Sequence, residues 1–184
     1  MLSVHFNPFP ELVTERLCLR QLRRDDENDF FALRSNPDIM RFIPRPVAQS
    51  VADAAELIQN INDGIRQNNS ITWAITLKQS PKVIGTIGYV RMAKEHYRAE
   101  VGYLLSLDYQ GQGIMQEALR AVVNYGFQTM KLHSIEGIID PDNTASANVL
   151  KQAGFVQEAH FKENQFYHGR FRDSVYYSIL TPVN

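Results

Sequence analysis

Apolar and polar residues alternate from Leu12 to Leu22, the period-two pattern of a strand with one buried face. Asp25 and Asp26 then open a helix that carries Phe30, Phe31 and Leu33, acidic residues being favoured at the positive end of a helix. Asn36-Pro37 ends it, a short segment follows through Ile39, Met40 and Phe42, and Pro44 and Pro46 mark a loop. Ser50-Val51-Ala52-Asp53 is a helix start, and Ala54, Leu57, Ile58, Ile61 and Ile65 continue at helical spacing.

Three strand-like runs come next, at Ile71–Leu77, Val83–Met92 and Ala99–Leu105. Ser80-Pro81 and the polar tip Lys94-Glu95-His96 separate them, and links this short predict an antiparallel meander. A helix is predicted to about Met130, then a strand over Ser134–Ile139, a turn at Asp140–Asn143 and a short helix over Thr144–Gln152. Gly154-Phe155-Val156 begins another strand, and Ser174–Leu180 forms the last. The helix between Leu105 and Ile135 fits a crossover between parallel neighbours, so the fold class is mixed α/β around one central sheet.

Composition narrows the picture. The chain has 184 residues, enough for one domain with a sizeable core, and no linker or repeat divides it. A formal charge of -1 supplies no global field for nucleic acid. No apolar run is long enough to cross a bilayer, and MLSVHFNPFPELV lacks the basic-then-apolar order of a secretion signal, so a cytoplasmic location is expected. The single Cys18 sits in an alternating strand and reads as a small core residue. The five histidines form no H-x-x-x-H pair, and no metal is expected.

The stretch with most chemistry in it is Asp108-Tyr109-Gln110-Gly111-Gln112-Gly113-Ile114-Met115. Two glycines lead straight into a helix, whose first turn leaves N–H groups unpaired at the positive end of its dipole. Bare backbone there suits a phosphate; a ligand-free tight turn is the alternative. A dinucleotide fingerprint fails at Gln116, where a third glycine is needed, and a Gly-Lys-Ser/Thr P-loop is absent. A diphosphate site without lysine or metal-binding hydroxyl remains.

Gln110-x-x-Gly113 before a helix resembles the pyrophosphate loop of the GNAT N-acetyltransferase superfamily, whose pattern is Gln/Arg-x-x-Gly-x-Gly/Ala; this chain departs at the last place with Met115. Ala99-Glu100-Val101-Gly102-Tyr103 before the loop, and Asn143-x-x-Ser146 and Gly154-Phe155 after it, fall in the order of that family. So do Thr14-Glu15-Arg16-Leu17-x-Leu19-Arg20 near the start and Arg172-Asp173-x-x-x-Tyr177 at the end. The resemblance spans nearly the whole chain and points to the branch that contains ribosomal-protein alanine and serine N-terminal acetyltransferases.

The resemblance implies an acyltransferase fold of about seven strands, splayed between two parallel ones, as a single domain over 1–184. It implies acetyl-coenzyme A as cosubstrate, its diphosphate on Gln110, Gly111, Gln112, Gly113, Ile114 and Met115. The acetyl carbonyl would meet main-chain N–H groups at Tyr103, Leu104 and Leu105, and Asn143 and Asn148 would contact the pantetheine or diphosphate. Glu100 would take the proton from the amine; by residue type alone a strand glutamate paired with Arg98 is an equal reading. Many members protonate the leaving thiolate with a tyrosine where Leu150 stands here, and Ser146, the nearest hydroxyl of that segment, takes its place. Local backbone bonding is the other reading of Ser146, and helix capping that of Asn143. The side chains of Trp73, Tyr97, Tyr103 and Tyr109 read as packing or rim residues, and Phe42–Pro46 as the region that shapes the acceptor site. The acceptor expected is an amine, foremost a ribosomal-protein N-terminus. A polyamine, antibiotic or other small amine, or a non-catalytic acyl-coenzyme A module, are the alternatives. Pairing of the last strand across a homodimer is open.

Overall fold

The computed structural model describes residues 1–182. Eight strands form one sheet in the order β1-β2-β3-β4-β5-β6-β8-β7. β1 is Leu12–Val13, β2 Leu17–Gln21, β3 Ile71–Leu77, β4 Gly85–Ala93 and β5 Arg98–Leu105. β6 is Ser134–Ile139, β7 Val156–Tyr167 and β8 Arg170–Leu180. The helices are α1 Glu27–Arg34, α2 Pro37–Met40, α3 Val51–Arg66, α4 Ile114–Gln128 and α5 Thr144–Gln152. Every neighbouring pair of strands is antiparallel except β5 and β6, which are joined through α4.

Local signals account for much of this. Ser50 and Asp53 close a reciprocal capping box at the start of α3, the Asp53 N–H donating to Ser50 Oγ at 3.2 Å. Asn36 accepts from Asp38 N–H and so starts α2. Alternation along β3 sends Ile71, Trp73 and Ile75 into the core shared with Leu119 and Val122 of α4. Ala74 joins the second cluster, with Phe30 and Leu33 of α1 and Ala54 and Ile58 of α3. The sheet thus has helices on both faces, and its centre is buried on both.

The structure corrects the expected elements at three places. Leu12–Leu22 is a hairpin, β1 against β2, with Thr14–Arg16 at its turn. The turn is tied from outside: Glu117 of α4 accepts from Thr14 Oγ1 at 2.6 Å and from the Arg16 N–H at 2.8 Å. The sheet has eight strands where about seven are expected, because that hairpin contributes two. The last strand starts at Arg170, earlier than Ser174, since His168 and Gly169 take positive φ and turn β7 tightly into β8.

Candidate active site

β5 and β6 share ladder positions only at Arg98–Ser134, Ala99–Ile135 and Glu100–Glu136. From there β5 follows β4 as far as Leu105, and β6 follows β8 as far as Ile139. The two strands part. Leu150 of α5, fully buried, lies against Gly137 of β6, where a Cβ would come within 2.9 Å of its Cδ2. A bulge in β4 between Tyr89 and Arg91 falls opposite the point of divergence. The gap opens a cavity of about 390 Å³, lined by β5, β6, the Phe42–Arg45 loop, Arg34 of α1 and the β7–β8 hairpin.

The divided ladder leaves main-chain groups of β5 facing the gap. Ser106 N–H donates to Ile84 O at 2.8 Å, on the β4 side. Gln110 Nε2 donates to Leu105 O at 3.1 Å, on the other side. By alternation Tyr103 and Leu105 present their N–H groups to the gap, whereas Leu104 turns its own to β4. Of the three residues expected to meet a carbonyl, Leu104 therefore drops out as a main-chain donor.

The loop after β5 turns on two glycines into the start of α4. Gly111 and Gly113 have φ of 71° and 73°, the left-handed region that side chains disfavour. The first helical bond of α4 runs from Glu117 N–H to Gly113 O, 3.0 Å. The N–H groups of Ile114, Met115 and Gln116 thus lack an acceptor within their own helix. Arg16 braces the loop, donating through Nη1 to Gln112 O at 2.9 Å and through Nε to Glu117 at 2.6 Å. Its guanidinium adds a cation beside Gly113. The side chains of Gln110 and Gln112 are spent within the loop, the latter on Asp108 O at 2.8 Å. A diphosphate would be held by backbone there, not by the glutamine side chains. Asn148 is exposed on α5 and does not line the cavity.

Glu100, Ser146 and Asn143 all line the cavity. The Glu100 carboxylate is 14% exposed and lies 3.4 Å from Arg91 Nε; Arg98 pairs instead with Glu136 at 3.8 Å. Burial raises the Glu100 pKa, the charges of Arg91 and Arg45 pull it back, and Glu136 pushes it further up. Asn143 caps α5, accepting from Ser146 N–H at 3.1 Å, which leaves the Ser146 hydroxyl for other partners. The Tyr103 hydroxyl donates to Ser146 O at 3.4 Å, and burial lifts its pKa to about 12, so it stays protonated at neutral pH. That phenol is a second proton donor in the cavity. The sequence leaves this side chain as a packing or rim residue, and the structure puts it in the cavity lining.

Arg34 and Arg45 were also out of reach from the sequence. Both line the cavity, and neither forms an ion pair among the described residues. Arg34 Nε is buried without a hydrogen-bond acceptor.

A half-buried carboxylate, hydroxyl groups and a free strand edge in one gap, with an unpaired helix start just beyond the end of β5, suit acyl transfer from a thioester with a diphosphate tail. Comparison with known proteins agrees. Residues 16–156 match the acetyltransferase (GNAT) domain family. The uncharacterized N-acetyltransferase YoaA of Bacillus subtilis is 33% identical, covering 95% of this chain and 98% of the relative. The spermidine N(1)-acetyltransferase of Vibrio cholerae is 26% identical, covering 88% and 91%. The structure of RimL, a ribosomal L7/L12 alpha-N-protein acetyltransferase in complex with coenzyme A, superposes with a TM-score of 0.84 at 19% identity, covering 93% of this chain and 98% of that one. The chain belongs to the GNAT family and is an acetyl-coenzyme A-dependent N-acetyltransferase.

Proposed function

We propose that this enzyme acetylates the α-amino group of a polypeptide N-terminus, as the ribosomal-protein acetyltransferases do. The observation that carries this reading is the cavity beside Glu100. Its lining runs from β5, beside the gap where the acyl end would lie, out past the Phe42–Arg45 loop to the β7–β8 hairpin, a path along which an extended chain can lie. The likeness to RimL supports the fold side of the reading.

In this reading Glu100 accepts the proton lost by the amine, directly or through water. Burial lifts its pKa toward the range a base needs near neutrality. The amine nitrogen bonds to the acetyl carbonyl carbon and the carbon–sulfur bond breaks. One of the N–H groups that β5 turns to the gap, that of Tyr103 or that of Leu105, holds the carbonyl oxygen as charge builds on it. The Ser146 hydroxyl returns a proton to the departing thiolate, with the Tyr103 phenol as the neighbouring donor. The glycine loop and the first turn of α4 hold the diphosphate. Coenzyme A supplies the activated acetyl group.

The 26% identical spermidine acetyltransferase favours a second reading, a small polyamine as acceptor. A polycation needs uncompensated carboxylates, and those of this cavity are paired. Glu100 faces Arg91 at 3.4 Å, Asp140 faces Arg172 at 4.0 Å and Asp173 faces His160 at 2.7 Å. The deciding experiment is turnover with acetyl-coenzyme A on a panel of N-terminal peptides, spermidine and aminoglycosides, with mass detection of the product. Peptide α-acetylation is expected, and acetyl-spermidine as the sole product would overturn the reading.

A further inference from the structure

The cavity holds more positive charge than it neutralises. Four arginines line it, Arg34, Arg45, Arg91 and Arg172, against the carboxylates of Glu100, Asp140 and Asp173. Arg91 and Arg172 are taken by Glu100 and Asp140, and Asp173 by His160. Asp173 also accepts the Glu163 N–H at 2.9 Å. Arg34 and Arg45 form no ion pair among the described residues.

The setting of Arg34 differs from that of a surface arginine. Arg34 leaves the last turn of α1, and its Nη2 reaches only Pro46 O, at a long 3.4 Å. Its Nε is buried with no acceptor. A buried donor left unmade is costly, and a guanidinium that cannot shed its charge is costlier. Arg45 projects from the loop that crosses the cavity, near enough for its charge to act on both Arg34 and Glu100. Two cations on one cavity wall, one with a buried donor free, can receive an oxyanion.

We infer that the acceptor is an amine that also carries an oxyanion, a carboxylate above all, and that Arg34 and Arg45 receive it while the amine sits at Glu100. On the reading proposed above, which this inference rests on, the oxyanion is an aspartate or glutamate side chain within the first few residues of the acceptor. Arg34 and Arg45 then set specificity: they select which amine is presented and leave its deprotonation to Glu100.

The test uses the full-length enzyme with saturating acetyl-coenzyme A. Its probes are C-terminally amidated peptides in matched pairs, Asp or Asn at the second or third position behind one N-terminal serine. Glycine against glycinamide and spermidine complete the set. The expected result is a kcat/KM at least about tenfold higher for the acidic peptide, as a charge-assisted hydrogen bond implies. That ratio should collapse toward one in Arg34→Met and in Arg45→Gln, chiefly through KM. Arg45 is exposed, so its variant folds even if Arg34→Met does not. Glycine favoured over glycinamide with the same arginine dependence, and no peptide turned over, keeps the oxyanion and overturns the polypeptide acceptor. Peptides acetylated without acidic preference, or with a preference that survives both substitutions, overturn the oxyanion and keep the polypeptide. Turnover of spermidine alone, or of none of these amines, overturns both.

Discussion

Glu100 works, on the proposed reading, by being only partly neutralised. Burial raises its pKa, while Arg91 and Arg45 lower it. The base form therefore appears as pH rises through a value above the ordinary glutamate one, and the rate should climb with it. Replacing Arg91, whose side chain is largely exposed, removes a lowering charge. Arg91→Gln should move the rising limb of the kcat/KM profile to higher pH, and an unmoved or lowered limb would show that Arg91 does not set the base. Glu100→Gln should cost about 10²- to 10⁴-fold in turnover, partly recovered at high pH where the amine is already neutral. Coenzyme A affinity, measured by calorimetry, should stay within about twofold, since the diphosphate loop relies on other groups. Ser146 and Tyr103 divide at the same scale. Ser146→Ala should lower kcat more than it raises the KM for acetyl-coenzyme A. If Tyr103→Phe does this and Ser146→Ala does not, the phenol is the acid.

At the scale of elements, what could be read from the sequence follows from how local each cause is. β3, β6 and α5 have the predicted bounds because alternation or the Asn143 turn lies within a few residues, and α3 starts where the Ser50–Asp53 box predicts. The β1–β2 hairpin was hidden because Glu117, which ties its turn, is 103 residues from Thr14. Glu100 and the glycine loop could be named from residue type and order. Arg34 and Arg45 could not, because their meaning depends on which carboxylates already have partners. Buried pairing also sets a stability prediction. Arg20 of β2 meets Asp26, just before α1, in a two-pronged bond of 2.8 Å per arm, with both side chains buried. Asp26→Ala strands the guanidinium and should cost about 3–5 kcal/mol in urea unfolding. A loss below about 1 kcal/mol would mean that Pro81 O and water replace the carboxylate.

Across the whole molecule, the site joins parts that the fold otherwise keeps separate. On the proposed reading the diphosphate loop, braced by Arg16 from the β1–β2 turn, holds one end, the β5–β6 gap holds the acyl end, and the acceptor end reaches α1 and the β7–β8 hairpin. A ligand that spans the first two should stabilise the molecule globally, because it binds the assembled sheet and not the unfolded chain. At 100 times its dissociation constant, coenzyme A should add about 2.7 kcal/mol. For a chain of this size that is a rise of about 5–11 °C in Tm. The dependence on the loop can be isolated at Gly113, whose positive φ aspartate tolerates better than most residues and whose neighbourhood is open apart from Arg16. Gly113→Asp sets a carboxylate where the diphosphate belongs and gives Arg16 a competing partner. Its own Tm should fall by only a few degrees, while the rise on adding coenzyme A should vanish. Dephospho-coenzyme A, which keeps the diphosphate, should stabilise the wild type nearly as well, whereas pantetheine, which lacks it, should do so weakly. A variant that keeps the full rise would move the diphosphate away from the start of α4. Pantetheine alone producing the rise would leave the β5–β6 gap as the main source of binding energy.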